Sequence, residues 1–153
     1  MSKSIVAPVQ LDQLFVVDSR MHVEPNPAES MRESLDIHYD RGELAVEDDV
    51  ATLALSLEVS ASLSASDEPS DVRMSAGTKV VVTAHCGIPQ DGAPDTVKRY
   101  LTMNCLSVAY SHARSHLMSL TAASPMGTFM IPTILPSVLA DADERERTER
   151  VEF

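Results

Sequence analysis

The chain has 153 residues, with 23 acidic side chains against 12 basic ones and a formal net charge of -11. That length suits one domain, 1–153, with a core of its own, and the acid excess excludes a phosphate backbone as partner while favouring basic proteins. Aromatic residues make up only 4% and Trp is absent, whereas Met occurs 8 times, which suits adaptable apolar surfaces.

The opening MSKSIVAPVQLDQL has no signal-peptide core, because Gln10, Asp12 and Gln13 break the apolar run. Residues 9–23 then alternate, with Val9, Leu11, Phe15, Val17, Met21 and Val23 on one face and Gln10, Asp12, Asp18, Arg20 and His22 on the other. Period two over that length predicts a half-buried strand, which Glu24-Pro25-Asn26-Pro27 ends. A second strand carries Leu35, Ile37 and Tyr39 against Asp36, His38 and Asp40. The cleanest alternation covers 50–63, where Leu53, Leu55, Leu57, Val59, Ala61 and Leu63 share a face.

Residues 64–76, rich in Ser, Asp, Glu and Pro, read as a loop, and Val80 to Cys86 as a short fourth strand. Pro94-Asp95 opens a long helix with Asp95 as its N-cap, and helical spacing runs through Val97, Leu101, Cys105, Ala113, Leu117 and Leu120. A Pro/Gly break follows. From Pro125 to Pro136 no residue is charged, yet Met126, Phe129, Met130, Ile131, Ile134 and Leu135 lie there, while Pro132 and Pro136 rule out regular structure. A segment so apolar covers a core or handles other apolar chains. Ser137 can cap a last helix, and 139–153 reads as a charged, partly mobile tail. Strands followed by helices predict an α+β fold: a four-stranded antiparallel sheet packed by a long helix plus a short one.

Candidate chemistry is sparse. His112 and His116 share a helix face at metal-ligand spacing, but Ala113 stands where a zincin-type site needs Glu, and no third ligand is evident. The pair reads as a helix-interface or solvent pair, and no metal or cofactor is expected. No GxSxG elbow exists, and the 5 glycines are too scattered for a phosphate loop. Cys86 and Cys105 lack CxxC spacing and read as structural, reduced thiols. The acidic run Glu47-Asp48-Asp49 lacks calcium-loop spacing and reads as a solvated turn. The chain does not look like an enzyme. With no apolar run near the length of a membrane span, it is expected to be cytoplasmic, without membrane insertion.

The ordered set of segments resembles the SecB family of protein-export chaperones over roughly residues 8 to 140. VQLDQLFVVDSRMHVEPN is similar to the family's first strand, and LDIHYD with DDVATLALSLEVSASL to its second and third. SVAYSHARSHLMSL followed by GTFMIPTILP resembles the end of its long helix and the Gly-Thr-Phe segment leading to a proline; Gly127-Thr128-Phe129 and Pro136 keep the spacing. The resemblance implies a homotetramer, a dimer of dimers with the long helices central. It implies ATP-independent binding of unfolded, export-bound preproteins, which pass to the SecA motor docked on an acidic sheet face. Carried over by position, the client groove takes Leu35, Ile37 and Tyr39 from the second strand, with Phe129, Ile131, Ile134 and Leu135 as the other wall. Asp18 and Glu24 match acidic docking positions, whereas Val82 stands where the family has an acid in its fourth strand.

That departure leaves holding intact but bears on SecA delivery. An alternative is a SecB-like chaperone with a dedicated client, such as an antitoxin. A small hot-dog-type acyl-thioester enzyme is another class, although that fold wants its long helix after the first strand. A plain oligomeric adaptor, its apolar segment buried between subunits, is a third.

Overall fold

A computed structural model of the chain describes residues 8–24, 26, 29–66, 68, 71–88 and 92–141, together with the backbone of 148–152. The alternation of residues 50–63 becomes β4 (Val50–Ser64), which buries Leu53, Leu55, Leu57, Val59, Ala61 and Leu63 on one face. β2 (Arg32–Arg41) pairs along one side of it and β5 (Val72–Gly87) along the other, with β1 (Val9–Val23) outside β5. Every pairing is antiparallel. The long helix α1 (Pro94–Ala122) packs across β5 and β4, and the short helix α2 (Pro136–Ala140) follows it. This is the α+β architecture expected from the sequence.

Two short strands extend the sheet to six. β3 (Ala45–Glu47) pairs with β4 just past the last β2 pair, so β2 and β3 act as one strand interrupted at Gly42. Between β3 and β4 the acidic run turns, with Asp48 and Asp49 at φ 50° and 61°. Both central residues of such a two-residue hairpin need positive φ, which short Asp side chains tolerate. The second addition is β6 (Thr148–Glu152), an outer strand on β2. Composition predicts a charged, helical or frayed tail there. The backbone ladder overrides the composition: α2 is five residues long, and the chain returns to the sheet.

β1 departs from the expected faces. Its ladder shifts register between Leu11 and Gln13 and between Val16 and Asp18. Each bulge adds one residue and swaps the faces. Leu14 and Val16 therefore stand opposite the buried Val82 and Val80, while Phe15 stands opposite Val81 on the outer face. Phe15 and Val17 are 45% and 48% exposed, not on the core face. β5 begins at Val72, eight residues before the expected Val80, with Met74, Ala76 and Thr78 buried. Gly77 disguises this half of the strand. A Cβ there would sit 2.7 Å from Arg20 Cζ, so the glycine lets the guanidinium cross the sheet.

α1 starts at Pro94, with Ala93 rather than Asp95 at the N-cap; Asp95 lies in the first turn. Pro at the first helical position needs no N–H partner and has its φ preset. Likewise Leu135, not Ser137, precedes α2. Val97, Leu101, Cys105, Ala109, Ala113 and Leu117 face the sheet and are buried. Among the described residues, no helix is long and apolar enough to cross a membrane.

Candidate functional site

The apolar segment after α1 lies along the helix, and its geometry follows from how its backbone is satisfied. Phe129 N–H donates to Thr121 Oγ1 at 2.9 Å. Arg114 Nε–H donates to the Ile131 carbonyl and Tyr110 O–H to the Pro132 carbonyl, each at 2.6 Å. The helix partners run backwards, 121, 114, 110, as the segment runs forwards, so the two are antiparallel. Beyond α2, Arg99 closes a bidentate pair with Asp141, at 2.9 Å for both bonds. That pair holds the Asp141 carboxyl below its ordinary range, chiefly through the hydrogen bond from Arg99. Proline suits such a segment, because an irregular backbone offers few acceptors for extra N–H groups.

Pinned in this way, the segment sorts its side chains. Phe129, Ile131 and Leu139 enter the core, and Ile134 is half-buried. Met130, Leu135 and Val138 point outward, at 64%, 69% and 54% exposure. Beside them a narrow recess of about 80 Å³ opens between Tyr110, Arg114, Thr133, Ile134 and Pro136. The result is an apolar strip with three large side chains presented to solvent on a tethered backbone.

The residues singled out from the sequence fall into two groups. Leu35, Ile37, Tyr39, Phe129 and Ile131 are all core residues, nearly or wholly removed from solvent. Tyr39 also donates to the Ala140 carbonyl at 3.4 Å, so α2 lies near the end of β2. Ile134 and Leu135 belong to the accessible strip. Val138 joins them without having been singled out; a β-branched apolar residue in a helix of one turn is its only signal.

The acidic positions are partnered. Arg20 reaches Asp18 at 2.8 Å and Glu58 at 2.9 Å, and also bonds Ser60. These contacts, led by Glu58, raise the Arg20 pKa further. Glu24 meets His22 at 2.9 Å, and Asp12 meets His85 at 2.8 Å. These acids of the sheet are therefore hydrogen-bonded to neighbouring side chains rather than bare. Val82 is fully buried beneath α1, so an acid in that register would face the core; the neighbouring half-buried residues are Val81 and Thr83.

His116 shares a 2.8 Å hydrogen bond with Ser19, and among the described residues no cluster of three His, Cys, Asp or Glu could hold a metal ion. Cys86 and Cys105 are buried and unpaired. Burial pushes the Cys105 thiol up to about 11 and the Tyr110 phenol up to about 12, so neither ionises near neutrality.

No protein-family model matches the sequence. No curated protein matches it either. Among solved structures the chain is similar to the Mycobacterium tuberculosis SecB-like chaperone Rv1957, in complex with a ChAD peptide from the Rv1956 HigA1 antitoxin. The TM-score is 0.62 at 11% identity, covering 83% of this chain and 91% of that one. A Streptococcus agalactiae protein of unknown function aligns at TM-score 0.48 and 13% identity, over 82% of this chain and 97% of that one. Antiparallel sheet, long helix and short helix together make this a SecB-like fold.

Proposed function

We propose that this protein is an ATP-independent holding chaperone of the cytoplasm, binding unfolded polypeptide on the strip of Met130, Ile134, Leu135 and Val138. The observation that carries the reading is that three large apolar side chains stay exposed on a backbone tethered on both sides. Burying one large client side chain gains about 1.5–3 kcal/mol. Ordering each client residue costs about 1–2 kcal/mol. An eight-residue segment with four anchors thus gains about 6–12 and loses about 8–16 kcal/mol, close to a draw. Holding then needs several segments engaged at once, and release needs no nucleotide. The test dilutes a chemically unfolded globular protein into buffer with and without this protein, lacking ATP. Suppressed aggregation is the expected result, and unchanged light scattering would refute the proposal.

Several segments bind at once if several copies assemble, and two surfaces suit a second copy. β1 is an outer strand of the sheet, with Leu11, Phe15, Val17 and Met21 exposed, a combination that soluble monomers avoid. On α1, Tyr100 and Met103 border an open depression of about 520 Å³, and Ser107, Ser111, Ser115 and Ser119 continue outward as small residues that let a helix approach. A homo-oligomer, a tetramer as a dimer of dimers, is the expected state, measured as mass by light scattering at micromolar concentration. Phe15→Asp with Val17→Asp should lower that mass. A monomeric mass for the unaltered protein would remove the claim.

The client class turns on the acidic face. Delivery of export-bound preproteins requires SecA to dock on acids, and here Arg20 pairs with Asp18 and with the nearby Glu58, while His22 lies against Glu24. Any SecA binding should therefore be weak and salt-sensitive. The paired acids favour a dedicated client, and the peptide bound to the SecB-like neighbour, from an antitoxin, supports that class. Arg20→Gln frees Asp18 and Glu58 at a cost of at most about 1 kcal/mol for exposed pairs. It should strengthen SecA binding at low salt, read by titration calorimetry. No change would show that these acids are not the docking surface.

A further inference from the structure

β6 pairs with β2 through Ser34↔Glu152, Leu35↔Val151, Asp36↔Arg150, Ile37↔Glu149 and His38↔Thr148. Its sequence, Thr-Glu-Arg-Val-Glu, has three charged residues in five and a single aliphatic one. Such a strand is matched to this edge by its backbone, and a backbone ladder accepts any extended chain. Glu149 occupies the register position of the fully buried Ile37, where an apolar residue would suit the neighbouring core better. Residues 142–147 join β6 to α2, so the strand returns to β2 at a high effective concentration however weak its own affinity. The edge also lies close to the apolar strip: Tyr39 on β2 bonds Ala140, two residues after Val138.

We propose that the β2 edge is a strand-accepting site for extended polypeptide, and that β6 is a displaceable resident strand covering it. The inference rests on the holding function above and adds a second point of attachment to the exposed strip. A client segment with apolar residues opposite Leu35 and Ile37 displaces β6 and adds its own strand to β2. The resident strand in turn keeps an idle edge from pairing with other sheets, the hazard every open edge carries.

The test locks the strand in the full chain. Asp36→Cys with Arg150→Cys places two thiols at a directly opposed pair, close enough for a disulfide, while Cys86 and Cys105 stay buried. The probe is a reduced, carboxymethylated globular protein that remains unfolded in water. The oxidised variant should bind it at least about tenfold more weakly than the same variant after reduction, a difference of about 1.4 kcal/mol. In a second variant, Glu149→Pro with Val151→Pro removes ladder donors from β6 and should tighten binding several-fold. Equal binding by the oxidised and reduced forms would overturn the exchange while leaving holding intact. Failure of the intramolecular disulfide to form, or a disulfide between chains, would overturn the placement of β6. No binding by any form, the unaltered protein included, would overturn the holding function and the exchange with it.

Discussion

Changing Ile37 and Tyr39 together to serine should unfold the protein, not merely blunt its grip on clients. Ile37 is fully buried and Tyr39 nearly so, both on the core face of β2, and Tyr39 also bonds the Ala140 carbonyl. Truncating a buried Ile costs about 2–5 kcal/mol and a buried aromatic about 3–5 kcal/mol, before the unpartnered serine hydroxyls are counted. The two sit on one strand face and will not add perfectly, yet even about 5 kcal/mol matches the total stability of many domains. At roughly 2–4 °C per kcal/mol for a chain of this size, the melting temperature should fall by more than about 10 °C. Circular dichroism on heating measures it. A fall of a few degrees with client binding lost would instead mean that these side chains contact clients directly.

Period two identifies which residues of β2 and β4 share a face, because side-chain direction in a strand is set locally. It does not say what lies over that face. Leu35, Ile37 and Tyr39 read equally well as an open groove or as core, and only the tertiary packing, which buries all three, decides between them. The segment from Pro125 to Pro136 has no period to read, so only its tethers to Tyr110, Arg114 and Thr121 show which side chains turn inward.

Elsewhere the missing signal has a local cause. Two bulges in β1 moved Leu14 and Val16 to the helix side, and bulges leave no mark in an apolar pattern. The first half of β5 was hidden by Ser75 and Gly77, the latter glycine because Arg20 passes over it. β6 was hidden by its charges, since a strand held by its ladder needs no apolar face. The pairing of Asp18 with Arg20 was legible, because residues two apart on a strand share a face. Arg20 makes Asp18 a paired acid rather than a bare one.

The complementary variant carries Met130→Ser, Leu135→Ser and Val138→Ser. These side chains are more than half exposed, so the change should alter stability by no more than about 0.5 kcal/mol at each site. Each still has over half its surface to bury against a client, roughly 1–2 kcal/mol on the usual scale for a large apolar side chain. Losing all three removes about 3–6 kcal/mol per engaged segment, which lowers affinity at least a hundredfold. Affinity for a permanently unfolded polypeptide, measured by fluorescence anisotropy beside a thermal melt, separates the two effects. The expected outcome is an unchanged melting temperature, an unchanged oligomeric mass and binding lost. Binding that survives would move the client surface off the strip, while a destabilised variant would show that the exposed side chains are covered by another subunit in solution.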